Sequence, residues 1–342
     1  MKTYILQNEN ALFYECNFSC DNAIFLRIDE NTAYFITDAR YTTEAKEEVV
    51  GALVLDGDRS LVLKVAELIK KHKVKNIVFD PRDWSVEKFS ALKNSVSVNF
   101  IESINFSQEK REIKTKDEIQ IIKKAVKEGA KAFDRFCEFI KEEGIGLSEE
   151  ELFFNAELIL KNRGKFGLSF SPIVAINENA AKPHALPSKK KLKIGDLLLL
   201  DAGITYKKYC SDRTRTAEIS KNFNFSKKQN FTNKKMQEVY DTVLFAQEAA
   251  IKAVKIGEKL SSVDFAAREV IAKAGYKDFF IHSTGHGVGL DIHELPIVSS
   301  KSEAIIKEDM IFTIEPGIYL PNKFGVRIED MIVVTKDGAQ IL

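Results

Sequence analysis

The sequence predicts a two-domain chain of the α/β (α+β) class. A small α/β domain is expected over residues 1–110 and a larger domain over residues 111–342. Three observations predict this. The length of 342 residues suits two domains, at ~100–200 residues each. The first hundred residues alternate strand-like and helix-like stretches. A polar stretch, Asn105–Lys114, then precedes a region that reads helix, helix, strands, and again helix, helix, strands.

In the first domain, Asn22–Ile28 and Thr32–Thr37 are short β runs rich in Ile and Phe. Arg59–His72 has helical spacing, with Leu61, Val65, Leu68 and Ile69 on one side. Asn76–Asp80 is strand-like and stops at Pro81, and Ser95–Ile101 alternates again. Asn105–Lys114 reads as the linker. In the second domain, Thr115–Glu118 and Ser148–Glu151 fit capping boxes, in which a hydroxyl serves the first free N–H groups and a Glu reaches back. The second opens a helix to about Lys161, with Gly164 beyond its end. Leu197–Gly203, Tyr209–Ser220, Met310–Glu315 and Gly325–Thr335 read as strands. Asn233–Lys255 and Ser262–Ala274 read as helices, with Gly257 and Gly275 past their ends. The repeated order hints at an internal duplication that no sequence repeat supports.

Hydrophobic residues make up 44% and charged residues 30%, which is globular rather than disordered composition. Lys+Arg (51) and Asp+Glu (50) nearly cancel, so no global field favours nucleic acid or an anionic membrane. Lys189–Lys191 reads as a solvated loop. The opening stretch turns polar at Gln7, too early for a secretory leader, and no apolar run approaches the ~20 residues of a membrane helix. Cys16, Cys20, Cys137 and Cys210 are scattered and form no C-x-x-C pair. They read as reduced thiols, which points to the cytoplasm.

Five short segments carry the chemistry. Asp201 ends the apolar run of LLLLDAG, where a carboxylate is costly unless paired or bound to metal. Alone, it reads as a strand-end turn. Asp212, in YCSDRTRT, lies eleven residues later in a second strand-like run. A hairpin through Gly203–Lys208 would bring these carboxylates together, to share a proton or a cation. Alone, Asp212 reads as an ion-pair partner of Arg213 or Arg215. HSTGHGVGLDIHE holds three of the five histidines, His282, His286 and His293. Its glycines let the backbone crowd an ion or ligand. Glu315 ends an apolar run before Pro316-Gly317. Glu329 sits in a β-type run beside Ile328, where a Glu in an otherwise apolar strand needs a partner.

Together these are four carboxylates and one imidazole at or near strand ends. Oxygen-dominated ligands suit Mn²⁺ and similar ions, with Co²⁺, Zn²⁺ or Fe²⁺ as alternatives. Five ligands are many for one catalytic ion and suit two ions ~3.5–4 Å apart. Such a pair acidifies a bound water and polarises a carbonyl, which is hydrolytic chemistry.

These motifs, in this order, resemble the pita-bread metallopeptidases over about residues 110–342. The resemblance implies a pita-bread catalytic fold and two divalent metal ions. It implies that Asp201 chelates one ion, that His286 and Glu315 bind the other, and that Asp212 and Glu329 bridge both. Glu315 is also implied as proton shuttle, and His293 as the contact to the substrate carbonyl. His184 in KPHALP matches a substrate-side histidine, which otherwise reads as a turn residue beside Pro183. His282 and Arg327 match substrate-contacting or supporting positions.

The N-terminal domain, with FITDARYTTEA, is similar to that of the proline-specific branch, aminopeptidase P and prolidase. This implies a peptide substrate with proline second, and a homodimer. Asp38 in TDARY either approaches the substrate amine, across a dimer interface, or caps a turn. The TDARY likeness tips the expectation to an Xaa-Pro aminopeptidase, with the Xaa-Pro dipeptidase (prolidase) as alternative. The competing class is a non-catalytic binding protein of the same fold, against which the retained ligands speak.

Overall fold

The computed structural model describes residues 2–58 and 60–342. The chain forms two units, Met1–Arg111 and Glu112–Leu342.

The first unit is built on one mixed sheet. Its strands are β1 (Tyr4–Leu6), β2 (Ala23–Arg27), β3 (Ala33–Thr37), β4 (Leu53–Asp56), β5 (Asn76–Phe79) and β6 (Asn99–Glu102), ordered β4-β3-β2-β1-β5-β6. The side chains divide by strand alternation. Ile5, Ile24, Leu26, Ile36, Ile77 and Phe79 enter one core. Tyr4, Leu6, Phe25, Phe35 and Val78 enter another. Helices α1 (Glu9–Cys16), α2 (Thr42–Glu48), α3 (Leu61–Lys71) and α4 (Val86–Ser95) complete the layers. The helix expected over 59–72 is α3, capped by Ser60; Arg59 lies outside the described residues. The run expected to alternate from Ser95 is helical at its start, and β6 begins at Asn99.

The polar stretch read as a linker contains helix α5 (Phe106–Arg111). Phe106 packs on the Tyr4 ring at 5.1 Å, and Lys110 lies 4.6 Å over the same ring and pairs with Glu15. An aromatic side chain and the stem of a lysine thus help to fold a polar segment onto the unit.

The second unit holds two helix pairs. The first is α6 (Lys116–Phe139) and α7 (Glu149–Lys161); the second is α8 (Lys234–Ala253) and α9 (Leu260–Lys273). Both capping boxes form: Glu118 Oε2 accepts from Thr115 N at 2.7 Å, and Glu151 Oε2 from Ser148 N at 2.7 Å. Helix α7 ends on Asn162 at φ 44°, before Gly164, because Asn tolerates the left-handed region.

Strands β7 (Gly167–Leu168), β8 (Ile173–Ile176), β9 (Leu197–Asp201), β10 (Ile204–Tyr206), β11 (Tyr209–Cys210) and β12 (Thr214–Glu218) form two small sheets, β11-β10-β7 and β12-β9-β8. The LLLL run of β9 is buried on both faces. Leu198 and Leu200 join the α6/α7 core, whereas Leu197 and Leu199 join the α8/α9 core. The remaining strands are β13 (Gly285–Gly287), β14 (Glu294–Val298), β15 (Ile311–Ile314), β16 (Gly317–Leu320), β17 (Phe324–Arg327), β18 (Asp330–Thr335) and β19 (Gly338–Ile341). They form a sheet β14-β13-β15-β18-β19 and a hairpin β16-β17.

Two runs that read as single strands are each divided between sheets. Tyr209–Ser220 breaks between β11 and β12, and Gly325–Thr335 breaks between β17 and β18. Asp212 sits in the first break and Glu329 in the second.

Candidate metal centre

The five carboxylate and imidazole residues converge on one cavity of about 620 Å³, which all five line. Asp201 closes β9, and antiparallel pairing of β9 with β12 sets it opposite Thr214. The Asp212 break is tied back through Arg213, whose carbonyl accepts Ala202 N at 3.0 Å. Glu329 N donates to Thr214 O at 3.1 Å, and Glu315 N to Thr284 O at 2.8 Å. Ligand atoms of Asp212, His286 and Glu329 lie within 4.8 Å of one another. Glu315 Oε1 stands 3.3 Å from His286 Nε2, and Asp212 Oδ2 stands 3.7 Å from it. Asp201 is held differently: Arg327 Nη2 donates to its Oδ2 at 2.6 Å.

The ion pairs that would have made Asp212 an ordinary acid do not form. Arg215 pairs with Asp330 at 2.5 Å, and the Arg213 guanidinium lies over Phe133 at 5.2 Å. Glu329 forms no direct ion pair with Arg327, whose charge nonetheless favours its ionised form; Glu329 Oε2 accepts from Thr214 Oγ1 at 2.7 Å.

The donor set fits divalent cations. Among the described residues, Asp201 Oδ1, Asp212 Oδ1 and Glu329 Oε1 are buried and accept no hydrogen bond. Buried carboxylate oxygens without partners are costly. Burial, then the neighbouring carboxylates, push Asp212 and Glu329 well above the usual carboxylate range. Burial also raises Asp201, against the pull of Arg327. Burial would raise Glu315 too, but the hydrogen bond and charge of His286 bring it down to about 2. Cation binding therefore competes with protonation of Asp212 and Glu329. Mn²⁺ binding is expected to release protons at neutral pH and to tighten as pH rises. Calorimetry in buffers of different ionisation enthalpy measures this. Buffer-independent heats with a pH-independent Kd would contradict it.

His184 and His293 both line the cavity, and the His293 ring lies 4.3 Å from that of His286. His282 Nε2 is 2.8 Å from Tyr319 OH, which also accepts from Arg327 Nη1 at 2.8 Å. Burial lowers the pKa of His282 and His293, favouring neutral imidazoles. Asp38 lies in the first unit, where Asn22 Nδ2 donates to it at 2.6 Å and Arg40 N at 2.9 Å. The bond from Arg40 N is a turn-capping contact.

The sequence model of metallopeptidase family M24 matches residues 120–336, and that of the Creatinase/Prolidase N-terminal domain matches residues 1–113. The chain belongs to metallopeptidase family M24. It is 36% identical to the Xaa-Pro dipeptidase of Pyrococcus furiosus over 316 residues, covering 85% of this chain and 86% of the relative. Its structure is similar to that of the Xaa-Pro dipeptidase from Bacillus anthracis, with TM-score 0.91, 34% identity, and coverage of 99% and 92%. It is also similar to the X-Pro aminopeptidase from Thermotoga maritima, with TM-score 0.87, 32% identity, and coverage of 100% and 95%. The family and these neighbours carry the expected fold: a creatinase-type N-terminal domain and a pita-bread catalytic domain. No described helix of this M24 peptidase is long and apolar enough to cross a membrane.

Three site residues of the M24 peptidase escaped the sequence reading. Thr214 joins Glu329 to Arg327, accepting from Arg327 Nε at 3.0 Å. Tyr319 bridges Arg327 and His282. Glu149, wholly buried, anchors the segment that carries His184. It accepts from Ile176 N at 2.6 Å, Asn179 Nδ2 at 2.8 Å and Ser188 N at 2.8 Å. Glu149 reads from sequence as the first of three acids in an ordinary first helical turn. Glu149→Ala is expected to cost about 2–3 kcal/mol by stranding buried donors, and to raise KM more than it lowers kcat. Urea unfolding and steady-state kinetics check this.

Proposed function

We propose that this enzyme hydrolyses the peptide bond preceding proline in Xaa-Pro dipeptides. The observation that carries the reading is the convergence of Asp201, Asp212, His286, Glu315 and Glu329 on one cavity rimmed by His184 and His293. The relatives named Xaa-Pro dipeptidase support dipeptides over longer peptides. That shifts the balance from the aminopeptidase expectation drawn from TDARY. One similar structure is named an X-Pro aminopeptidase, which keeps longer peptides as the second reading.

In this proposal Asp201 would hold one divalent ion and His286 and Glu315 the other, with Asp212 and Glu329 as ligands shared by both. Mn²⁺ is the preferred metal because four of five ligands are carboxylates. When bound, the ions supply an acidified water and a polarised carbonyl. Glu315 takes the proton from the attacking water and delivers it to the departing proline nitrogen. Neutral His293 donates to the substrate carbonyl oxygen as charge develops there. His184 and His282 flank the substrate, while Arg327 and Tyr319 fix Asp201 and His282. A cytoplasmic homodimer is the working form in this reading, consistent with four buried free cysteines.

The test compares Ala-Pro with Ala-Pro-Pro on protein loaded with Mn²⁺. Dipeptide kcat/KM is expected to be at least about tenfold higher. Preference for the tripeptide would move the reading to aminopeptidase. No cleavage of either with Mn²⁺, Co²⁺, Zn²⁺ or Fe²⁺ would sink the Xaa-Pro reading.

A further inference from the structure

We propose that a second cavity of the catalytic unit binds a small tetrahedral oxyanion, with Arg213 as its principal ligand. The cavity measures about 510 Å³. Its lining side chains include five cations, Lys123, Lys127, Arg213, Arg215 and Lys227, against the two carboxylates Asp212 and Asp330. The acids do not serve all of these cations. Asp330 is taken up by Arg215 at 2.5 Å and Lys227 at 2.5 Å. Asp212 faces His286 in the candidate metal centre. Among the described residues, no carboxylate lies within ion-pair distance of Lys123, Lys127 or Arg213.

Arg213 is not an ordinary solvated surface arginine. It is half-buried, its guanidinium rests on the Phe133 ring, and its Nε is buried without a hydrogen-bond acceptor. A buried N–H of a cation with no acceptor is costly, and a planar guanidinium matches two oxygens of an oxyanion. Lys123 and Lys127, one turn apart on α6, line the same cavity as point charges. The remaining lining side chains Val126, Ala130, Met331, Ile341 and Leu342 are aliphatic or thioether, with no aromatic ring on which a base would stack. The chemistry therefore suits sulfate or inorganic phosphate rather than a nucleotide. Because Asp212 lines both cavities, the anion would sit beside a proposed metal ligand.

Calorimetric titration of the metal-loaded protein with sodium sulfate, at constant ionic strength in chloride, tests this. Wild type is expected to bind one sulfate per chain. Arg213→Gln is expected to weaken binding at least about tenfold, whereas Arg213→Lys retains part of it. The Lys123→Gln/Lys127→Gln double variant, altered on the helix surface, is expected to weaken binding several-fold and keeps the test open if Arg213→Gln fails to fold. No saturable binding to wild type at millimolar sulfate would overturn the proposal. So would equal affinity in wild type and the double variant, which would place the anion elsewhere, including on the metal ions.

Discussion

Asp212→Ala or Glu329→Ala is expected to strip both ions from the protein and to lower kcat/KM by about 10³-fold or more. Both effects come from where these carboxylates sit. Each occupies a break between two strands that belong to different sheets, and each has one buried oxygen that accepts no hydrogen bond. A bridging ligand serves both ions, so its loss is not confined to one position. Metal content after dialysis, by mass spectrometry, is the direct readout. Two ions per chain with full activity in either variant would refute the bridging assignment. The isosteric change at the same position has a second, opposite effect. Asp212→Asn relieves the crowding of buried carboxylates that pushes Asp212 and Glu329 upward. The metal-free variant is therefore expected to melt no lower than the metal-free parent at neutral pH. It should gain far less than the parent from added Mn²⁺. A merely misfolded variant would melt lower under both conditions.

Much of this was legible in the sequence, for physical reasons that differ between elements. Helices α6 and α7 announce themselves because Thr115/Glu118 and Ser148/Glu151 are local devices, complete within four residues. The proposed ligands stood out only in combination: a carboxylate at the end of LLLL, or between Ile328 and Asp330, conflicts with an apolar environment unless something compensates it, but each alone also reads as a turn acid or an ion-pair partner. Strand divisions were not legible. Tyr209–Ser220 and Gly325–Thr335 keep β-type residues throughout, and only long-range pairing decides that β17 joins β16 while β18 joins β15. Helix α5 was hidden because its contacts to Tyr4, from Phe106 and Lys110, span a hundred residues.

The breaks have a consequence for the site. In an unbroken strand, side chains alternate between faces, so a buried acid would have to be matched by the opposing strand alone. At a break, the backbone leaves one ladder before entering the next, and its polar groups bond outside the ladder. Glu329 N on Thr214 O is such a bond, and Ala202 N on Arg213 O is another. The same breaks bring Thr214, from β12, between Glu329 and Arg327, a role that no single segment of sequence reveals.

Arg327 carries the largest expected stability effect. It is buried, and among the described residues it is the only Lys or Arg within ion-pair distance of any proposed ligand. Its three nitrogens meet Asp201 Oδ2 at 2.6 Å, Tyr319 OH at 2.8 Å and Thr214 Oγ1 at 3.0 Å. Arg327→Met keeps the side-chain bulk but leaves Asp201 buried beside other carboxylates with no counter-charge. Breaking a buried pair in this way costs about 3–5 kcal/mol. The sign with pH follows from the Asp201 carboxyl. Burial already raises it, and Arg327 is what holds it back. Without Arg327 its folded pKa rises further above the unfolded value. Such a group favours the fold at low pH, where it is protonated, and loses that contribution as pH climbs through the folded pKa. The deficit of metal-free Arg327→Met against the parent is therefore expected to be small near pH 4 and to widen above neutrality. Arg327→Lys should recover part of it, because charge is restored without the guanidinium fork. Urea unfolding across that pH range measures the difference. A deficit that stays flat with pH, or a Met variant as stable as the parent above neutrality, would show that Asp201 finds its compensation elsewhere.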